Sequence, residues 1–170
     1  MVFMLVLRFK GFHDKIKFGE YMIPNTSSIE EIVEQLISGV SVQHRITIPE
    51  GLSTFSITTL INNDHRITGD LVNNADEGVF APNTYSFDMT TRRKNLLIKM
   101  RDEQKKIVDH AWSNRAPGLP LKNRLELVIL AYVVEKEAGN EEDKKKVASV
   151  FLNRLKKKMR LQSDPTVVYS

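Results

Sequence analysis

The order of apolar and polar positions divides the chain into short alternating stretches and longer helical ones. Phe18-Gly19-Glu20-Tyr21-Met22-Ile23 alternates and halts at Pro24, which predicts a strand. Asn25-Thr26-Ser27-Ser28 offers helix caps, and Ser28 with Glu31 three residues on fits a capping box. Ile29, Ile32, Val33, Leu36 and Ile37 then recur at helical spacing until Gly39. Residues 43–48 alternate again, with His44, Ile46 and Ile48 on one face, and predict a second strand. Pro49-Glu50-Gly51 turns the chain, and Ser53 caps a helix reaching about Ile61.

Residues 71–77 read as a polar connection, and residues 78–87 as a loop or short extended piece. A Thr90 or Thr91 cap opens a long basic helix to about Ser113, with Leu96, Leu97, Met100, Ile107, Val108 and Trp112 as its apolar positions. Ala116-Pro117-Gly118-Leu119-Pro120 breaks it. From Arg124 to about Ala138 the pattern is apolar nearly all round, which predicts a buried helix with Gly139 just past its end. Asn140 caps a last helix with Glu141, Glu142 and Asp143 in its first turn, where carboxylates suit the helix dipole. Its inner stripe is Val147, Val150, Phe151 and Leu155, while residues 144–146 and 156–158 read as solvated lysine faces. Residues 160–170 read as extended. The whole is an α+β chain, a small β-α-β-α module followed by a mostly helical part, with the break placed between residues 1–76 and 77–170.

Composition narrows the function. The 170 residues are 41% apolar and 27% charged, ordinary for a globular protein. The absence of cysteine excludes disulfides, a thiol nucleophile and any Cys-ligated metal. The net charge of +4 is unevenly spread: residues 1–85 hold 6 basic and 10 acidic side chains, residues 86–170 hold 19 and 11. Such a split suggests two parts with different tasks. The apolar run of residues 1–7 ends at Arg8 and Lys10, far short of the roughly 20 residues a membrane span needs.

There is no Gly-rich phosphate loop, no G-x-S-x-G and no H-E-x-x-H, and the histidines lie scattered without metal-ligand spacing. The basic carboxy-terminal half carries no basic–aromatic nucleic-acid motif. What stands out is Glu135 and Glu137 at the end of the apolar helix. Residues three, four and seven before Glu137 are Val134, Val133 and Leu130; before Glu135 they are Tyr132, Ala131 and Val128. Either carboxylate pressed against such a face would be desolvated and kept protonated toward neutral pH, as a general acid requires. The plainer alternative is two solvated glutamates at a fraying helix end. Two residues apart on a helix, they point about 200° apart and are no flanking glycosidase pair. The segment of residues 159–169 offers amide, hydroxyl, carboxylate and phenol groups to a hydroxyl-rich ligand, or forms an ordinary edge strand.

Val134-Glu135-Lys136-Glu137, Lys146-Val147-Ala148-Ser149-Val150-Phe151-Leu152-Asn153-Arg154-Leu155 and Met159-Arg160-Leu161-Gln162-Ser163-Asp164-Pro165-Thr166-Val167-Val168-Tyr169 together resemble the endolytic murein transglycosylase (MltG, YceG-like) family. Glu77-Gly78-Val79-Phe80-Ala81-Pro82-Asn83-Thr84-Tyr85 looks like that family's E-G-x-x-x-P-[DN]-T-Y segment, and Gly19-Glu20-Tyr21 with Ile48-Pro49-Glu50-Gly51 match its amino-terminal module. The resemblance implies a LysM-like module followed by a lysozyme-like transglycosylase domain. It implies cleavage of peptidoglycan glycan strands between N-acetylmuramic acid and N-acetylglucosamine, leaving 1,6-anhydro-muramic ends, with no cofactor or metal.

By the same resemblance Glu137 is the catalytic glutamate and Glu135 supports it. Asn153, Gln162, Asp164, Thr166 and Tyr169 are candidates for holding sugar. Tyr85 either stacks on a sugar ring or belongs to the core. Ala138 and Ser163 stand where the family usually has Thr. Implied partners are glycan strands and peptidoglycan synthases of the penicillin-binding kind, with no nucleic acid. The implied location is the periplasmic face of the bacterial inner membrane, through an anchor not seen in these residues. The family also continues past Tyr169, so the chain reads as a fragment truncated at its carboxy end, and a non-catalytic peptidoglycan-binding role is the alternative.

Overall fold

The computed structural model describes residues 7–164 except residues 10, 13 and 74. Its regular elements are α1 (Ile29–Ser38), β1 (His44–Ile48), α2 (Thr54–Asn63), β2 (Asn83–Phe87), α3 (Arg93–Ser113), α4 (Arg124–Glu137) and α5 (Glu141–Lys156). The capping box opens α1 as expected: Ser28 Oγ accepts from the Glu31 N–H at 3.3 Å, and Glu31 Oε2 accepts from the Ser28 N–H at 2.7 Å. Gly39 closes the helix at φ 71°, a backbone conformation that strains any residue with a Cβ.

β1 and β2 pair antiparallel, with Ile46 opposite Tyr85 and His44 opposite Phe87. Ile46, Ile48, Tyr85 and Phe87 face inward, and the outward Thr47 and Thr84 hydroxyls meet at 2.9 Å. The expected strand at residues 18–23 does not form. The Val42 N–H reaches Glu20 O, but the Gln35 amide takes Met22 O and the Tyr21 hydroxyl takes Lys17 O. Side chains thus occupy carbonyls there, and Phe18 and Met22 remain exposed. The amino-terminal β-α-β-α order is therefore replaced by α1-β1-α2, and the partner of β1 comes from residues 83–87.

Among the described residues two hydrophobic clusters result. The first gathers Ile46, Ile48, Ile57, Ile61, Ile67, Phe80, Tyr85, Phe87, Leu96, Leu97 and Met100 from β1, α2, β2 and the start of α3. The second gathers Leu130, Val133, Val134 and Phe151 from α4 and α5. The expected division after residue 76 falls between β1 and β2, inside the first cluster. Tyr85 is 2% exposed and its hydroxyl donates to Ala81 O at 2.8 Å. Burial pushes its phenol up to about 12, helped by the Glu103 charge. Its ring has no face left for a sugar, so the core alternative holds and the stacking one does not.

Several local expectations shift. Arg92, without a side-chain bond, caps α3; the Thr90 and Thr91 hydroxyls instead donate to Asp88 Oδ1 at 2.6 and 3.0 Å. These bonds, Thr90's first, hold the Asp88 carboxyl below its ordinary 3.8. α4 is not buried all round: Leu130, Val133 and Val134 are buried, while Leu125 is 56% exposed. It ends with Ala138 in extended conformation, and Gly139 does not take a positive φ. In α5, Val150 lies outside the stripe, which runs through Val147, Ala148, Phe151 and Leu152.

Arg93 is a buried cation at the start of α3. Its guanidinium donates to the carbonyls of Ile61 (3.4 Å), Asn62 (3.3 Å) and Gly69. It thereby satisfies the carboxy-terminal end of α2 and the loop beyond it. Arg93→Ala leaves these carbonyls unmet and is expected to cost about 2 kcal/mol or more, read as a lower urea midpoint at unchanged slope. Asp88 predicts an acid limb. Its lowered folded value means its stabilisation is complete above 3.8 and is lost as the pH falls through that lower value. Melting temperatures followed below about pH 4 should therefore fall more steeply in wild type than in Asp88→Asn.

Candidate active site

The last described segment folds back over α5. Lys158 at φ 55° reverses the chain, and the Met159 N–H returns to Arg154 O at 2.9 Å. The Arg154 guanidinium then donates to Leu161 O, and Leu161 packs on the α4–α5 cluster. This path carries Ser163 to the end of α4, where its hydroxyl donates to Glu137 Oε1 at 2.7 Å. Glu137 itself is exposed. The expectation that an apolar face desolvates it is not met, because Val133 and Val134 turn inward while the helix end projects. Asn153, Gln162 and Asp164 are exposed near the same end of the chain, and none hydrogen-bonds Glu137. Thr166 and Tyr169 lie outside the described residues.

Glu135 points elsewhere, as the spacing of two residues requires. Its Oε2 lies 2.6 Å from Lys144 Nζ, which also meets Glu141 and, at 3.6 Å, Glu50. Lys144 was expected on a solvated face; instead its side chain is 24% exposed and joins three segments. The adjacent carboxylates, Glu135 first and then Glu141, raise its ammonium further above the ordinary lysine range. Gly51 approaches the same helix end: at φ 70°, a Cβ there would meet Lys136 Cε at 3.3 Å and Glu135 Cγ at 3.4 Å. The Pro49-Glu50-Gly51 turn is thus seated on the end of α4.

Beside this clasp a cavity of about 470 Å³ opens between α3 and α4. Phe80, Ile107, Val108, Leu127, Val128 and Tyr132 form walls, with Glu135 and Lys144 at one end. Burial and the charge of Glu77 raise the Tyr132 phenol. Sequence reasoning missed Lys144 and Tyr132. Only the spacing of Glu141 and Lys144 carries a local signal; the other contacts join distant segments. Among the described residues no group of three or more His, Asp or Glu could hold a metal ion, and no helix is long and apolar enough to cross a membrane.

The YceG-like family model matches residues 1–170. The chain belongs to the YceG-like family. It is 28% identical over 203 residues to the endolytic murein transglycosylase of Bacillus subtilis, covering 99% of this chain and 55% of that protein. It is 25% identical over 216 residues to the endolytic murein transglycosylase of Streptococcus pneumoniae, covering 100% of this chain and 38% of that protein. The YceG-like chain therefore spans about half, or less, of the length of these curated relatives. The crystal structure of a YceG-like protein from Listeria monocytogenes matches it with a TM-score of 0.54 at 23% identity, over 99% of this chain and 65% of that one. This supports the mixed α+β fold.

The clasp predicts a salt-dependent defect. Lys144→Met leaves Glu50, Glu135 and Glu141 facing one another without a counter-charge. Its melting temperature should fall below wild type at low salt, and the gap should shrink at about 1 M salt, where screening acts over roughly 3 Å.

Proposed function

We propose that this YceG-like chain carries the acid–base end of an endolytic lytic transglycosylase acting on peptidoglycan, with Glu137 as its catalytic carboxyl group. The observation that carries this is the Ser163–Glu137 hydrogen bond, at the motif on which the resemblance rests, in a chain whose curated relatives are named endolytic murein transglycosylases. Ser163 engages Oε1 and leaves Oε2 to work on a substrate.

In this reading protonated Glu137 gives its proton to the glycosidic oxygen between N-acetylmuramic acid and N-acetylglucosamine. The C1–O bond breaks, the muramic C6 hydroxyl closes on C1, and its proton passes to the carboxylate. The products are a 1,6-anhydro-muramic end and a free 4-hydroxyl. No water is consumed and no second carboxylate is needed, because the nucleophile is already part of the substrate. Glu135 supports from the opposite side of the helix end through Lys144. Asn153, Gln162 and Asp164, with Thr166 and Tyr169, would hold the sugars. A LysM-like module at residues 1–76 and a lysozyme-like part at residues 77–170 would share the work, joined through the β1–β2 ladder. The setting is the periplasmic face of the inner membrane, with peptidoglycan synthases as partners.

Glu137→Gln should lower release of anhydro-muropeptides from purified sacculi by about 100-fold or more, with an unchanged melting curve. Mass spectrometry of the digests reads the product directly. Equal product from the variant would overturn the assignment. Sacculus binding without product, from this chain and from a version lengthened to the span of its relatives, would favour a binding role alone.

A further inference from the structure

α3 carries a charge pattern that the fold itself does not use. Residues 92–106 hold seven basic and two acidic side chains. One of the seven, Arg93, is engaged by the carbonyls at the end of α2 and the loop beyond it. The other six, Arg92, Lys94, Lys99, Arg101, Lys105 and Lys106, are exposed and make no hydrogen bond, ion pair or ring contact among the described residues. Local partners exist in the sequence and are not taken. Asp102 stands four residues before Lys106, the favourable order for a helical ion pair, yet forms none. Glu103 accepts instead from the Asn83 amide at 2.9 Å. Arg92 and Lys94 also lie at the positive end of the helix dipole, where cations cost stability, and no acidic residue stands in that first turn to offset them.

At about 100° per residue the six cations fall into two rows. Lys94, Arg101 and Lys105 form one row; Arg92, Lys99 and Lys106, at heptad spacing, form the other. The rows run about 140° apart around the axis, on the side away from the buried Leu96 and Met100. Each is a line of positive charge roughly 16 to 21 Å long, from a rise of 1.5 Å per residue. Regularly spaced cations without partners match regularly spaced anions, and phosphodiesters supply such a series along a chain. Residues 92–107 include no aromatic side chain, so nucleic-acid bases would find nothing there to stack on. Trp112, further along α3, has the Arg115 guanidinium over its ring at 3.9 Å. Between the rows Ile98 is the one exposed large apolar side chain, too little apolar surface to enter a bilayer. Rows that face so far apart also suit a flexible chain bending over the helix better than a flat surface.

We infer that the outward face of α3 is a docking strip for a linear phosphodiester polymer without aromatic bases, of the polyol phosphate kind. This inference does not rest on the transglycosylase reading. The strip uses no residue around Glu137, and its recognition is electrostatic along the whole length of the two rows.

Binding of fluorescently labelled poly(glycerol phosphate) to the whole chain, read by anisotropy between about 50 and 200 mM salt, tests this. Six neutralised phosphates give a slope of about −4 for log affinity against log salt. Neutralising one row, with Lys94→Gln, Arg101→Gln and Lys105→Gln together, should halve that slope and weaken binding at the lowest salt by about tenfold or more. The other row, as Arg92→Gln, Lys99→Gln and Lys106→Gln, should do the same. An equal loss of charge at Lys145, Lys156 and Lys157 should leave binding within about twofold of wild type, because net charge alone is not the determinant. Both row variants should melt as wild type does, since the altered side chains are exposed and unpaired. A slope near zero, or a control variant as weak as the row variants, would overturn the strip. So would a fall in melting temperature on neutralising a row, which would mean that the cations serve the fold. Tighter binding, at equal phosphate concentration and salt, to phosphatidylglycerol vesicles or to an oligodeoxynucleotide would overturn the choice of polymer and with it the inference.

Discussion

One ammonium group fixes where the end of α4 lies. Lys144, on the first turns of α5, stands among Glu141 of its own helix, Glu135 of α4 and Glu50 of the turn after β1. Three carboxylates brought this close would repel one another without it. Because Glu135 and Glu137 sit two residues apart, holding the first sets the azimuth of the second. Gly51 completes the arrangement by letting the turn backbone come within contact of the same helix end. The sheet unit and the α4–α5 pair are thus tied at the point where the candidate acid sits.

This tie explains an apparent mismatch between packing and chemistry. α4 is apolar over most of its length, yet only one side of it is buried against α5. Another side faces the cavity beneath α3, and the last turn projects, so Glu137 is exposed and is positioned by Ser163 rather than by burial. The helix supplies rigidity; the returning segment of residues 158–163 supplies the hydrogen bond. Arg154 and Leu161 make that return, one through a backbone carbonyl and the other through apolar contact.

Caps and periodicity made much of the helical fold legible. Ser28, Ser53, Asn123 and Asn140 each accept from the backbone N–H three residues on, and the helices they open begin where these side chains stop the chain from extending. Where a local signal competed with a non-local one it failed. The alternation at residues 18–23 found no neighbouring strand, while residues 83–87, read as a loop or extended piece, found β1. Thr90 and Thr91 were drawn to Asp88 instead of to the helix amides. For the site, the Glu135–Glu137 pair and Ser163 were visible as types and spacing, and Lys144 was visible only as one lysine in a run.

The sequence by itself determined the starts of α1, α2, α4 and α5, the inward faces of β1 and α1, and the opposed directions of Glu135 and Glu137, because these follow from backbone hydrogen bonding and from 3.6 residues per turn. It also carried the motifs of the YceG-like family along the whole chain. Tertiary structure alone decided which strand pairs with β1, that Tyr85 is core, that Lys144 gathers carboxylates from three segments, and that Ser163 meets Glu137. Those contacts join residues up to 94 positions apart, as Glu50 and Lys144 are, and no local pattern encodes which distant partner will lower the free energy of a buried face or an unpaired charge.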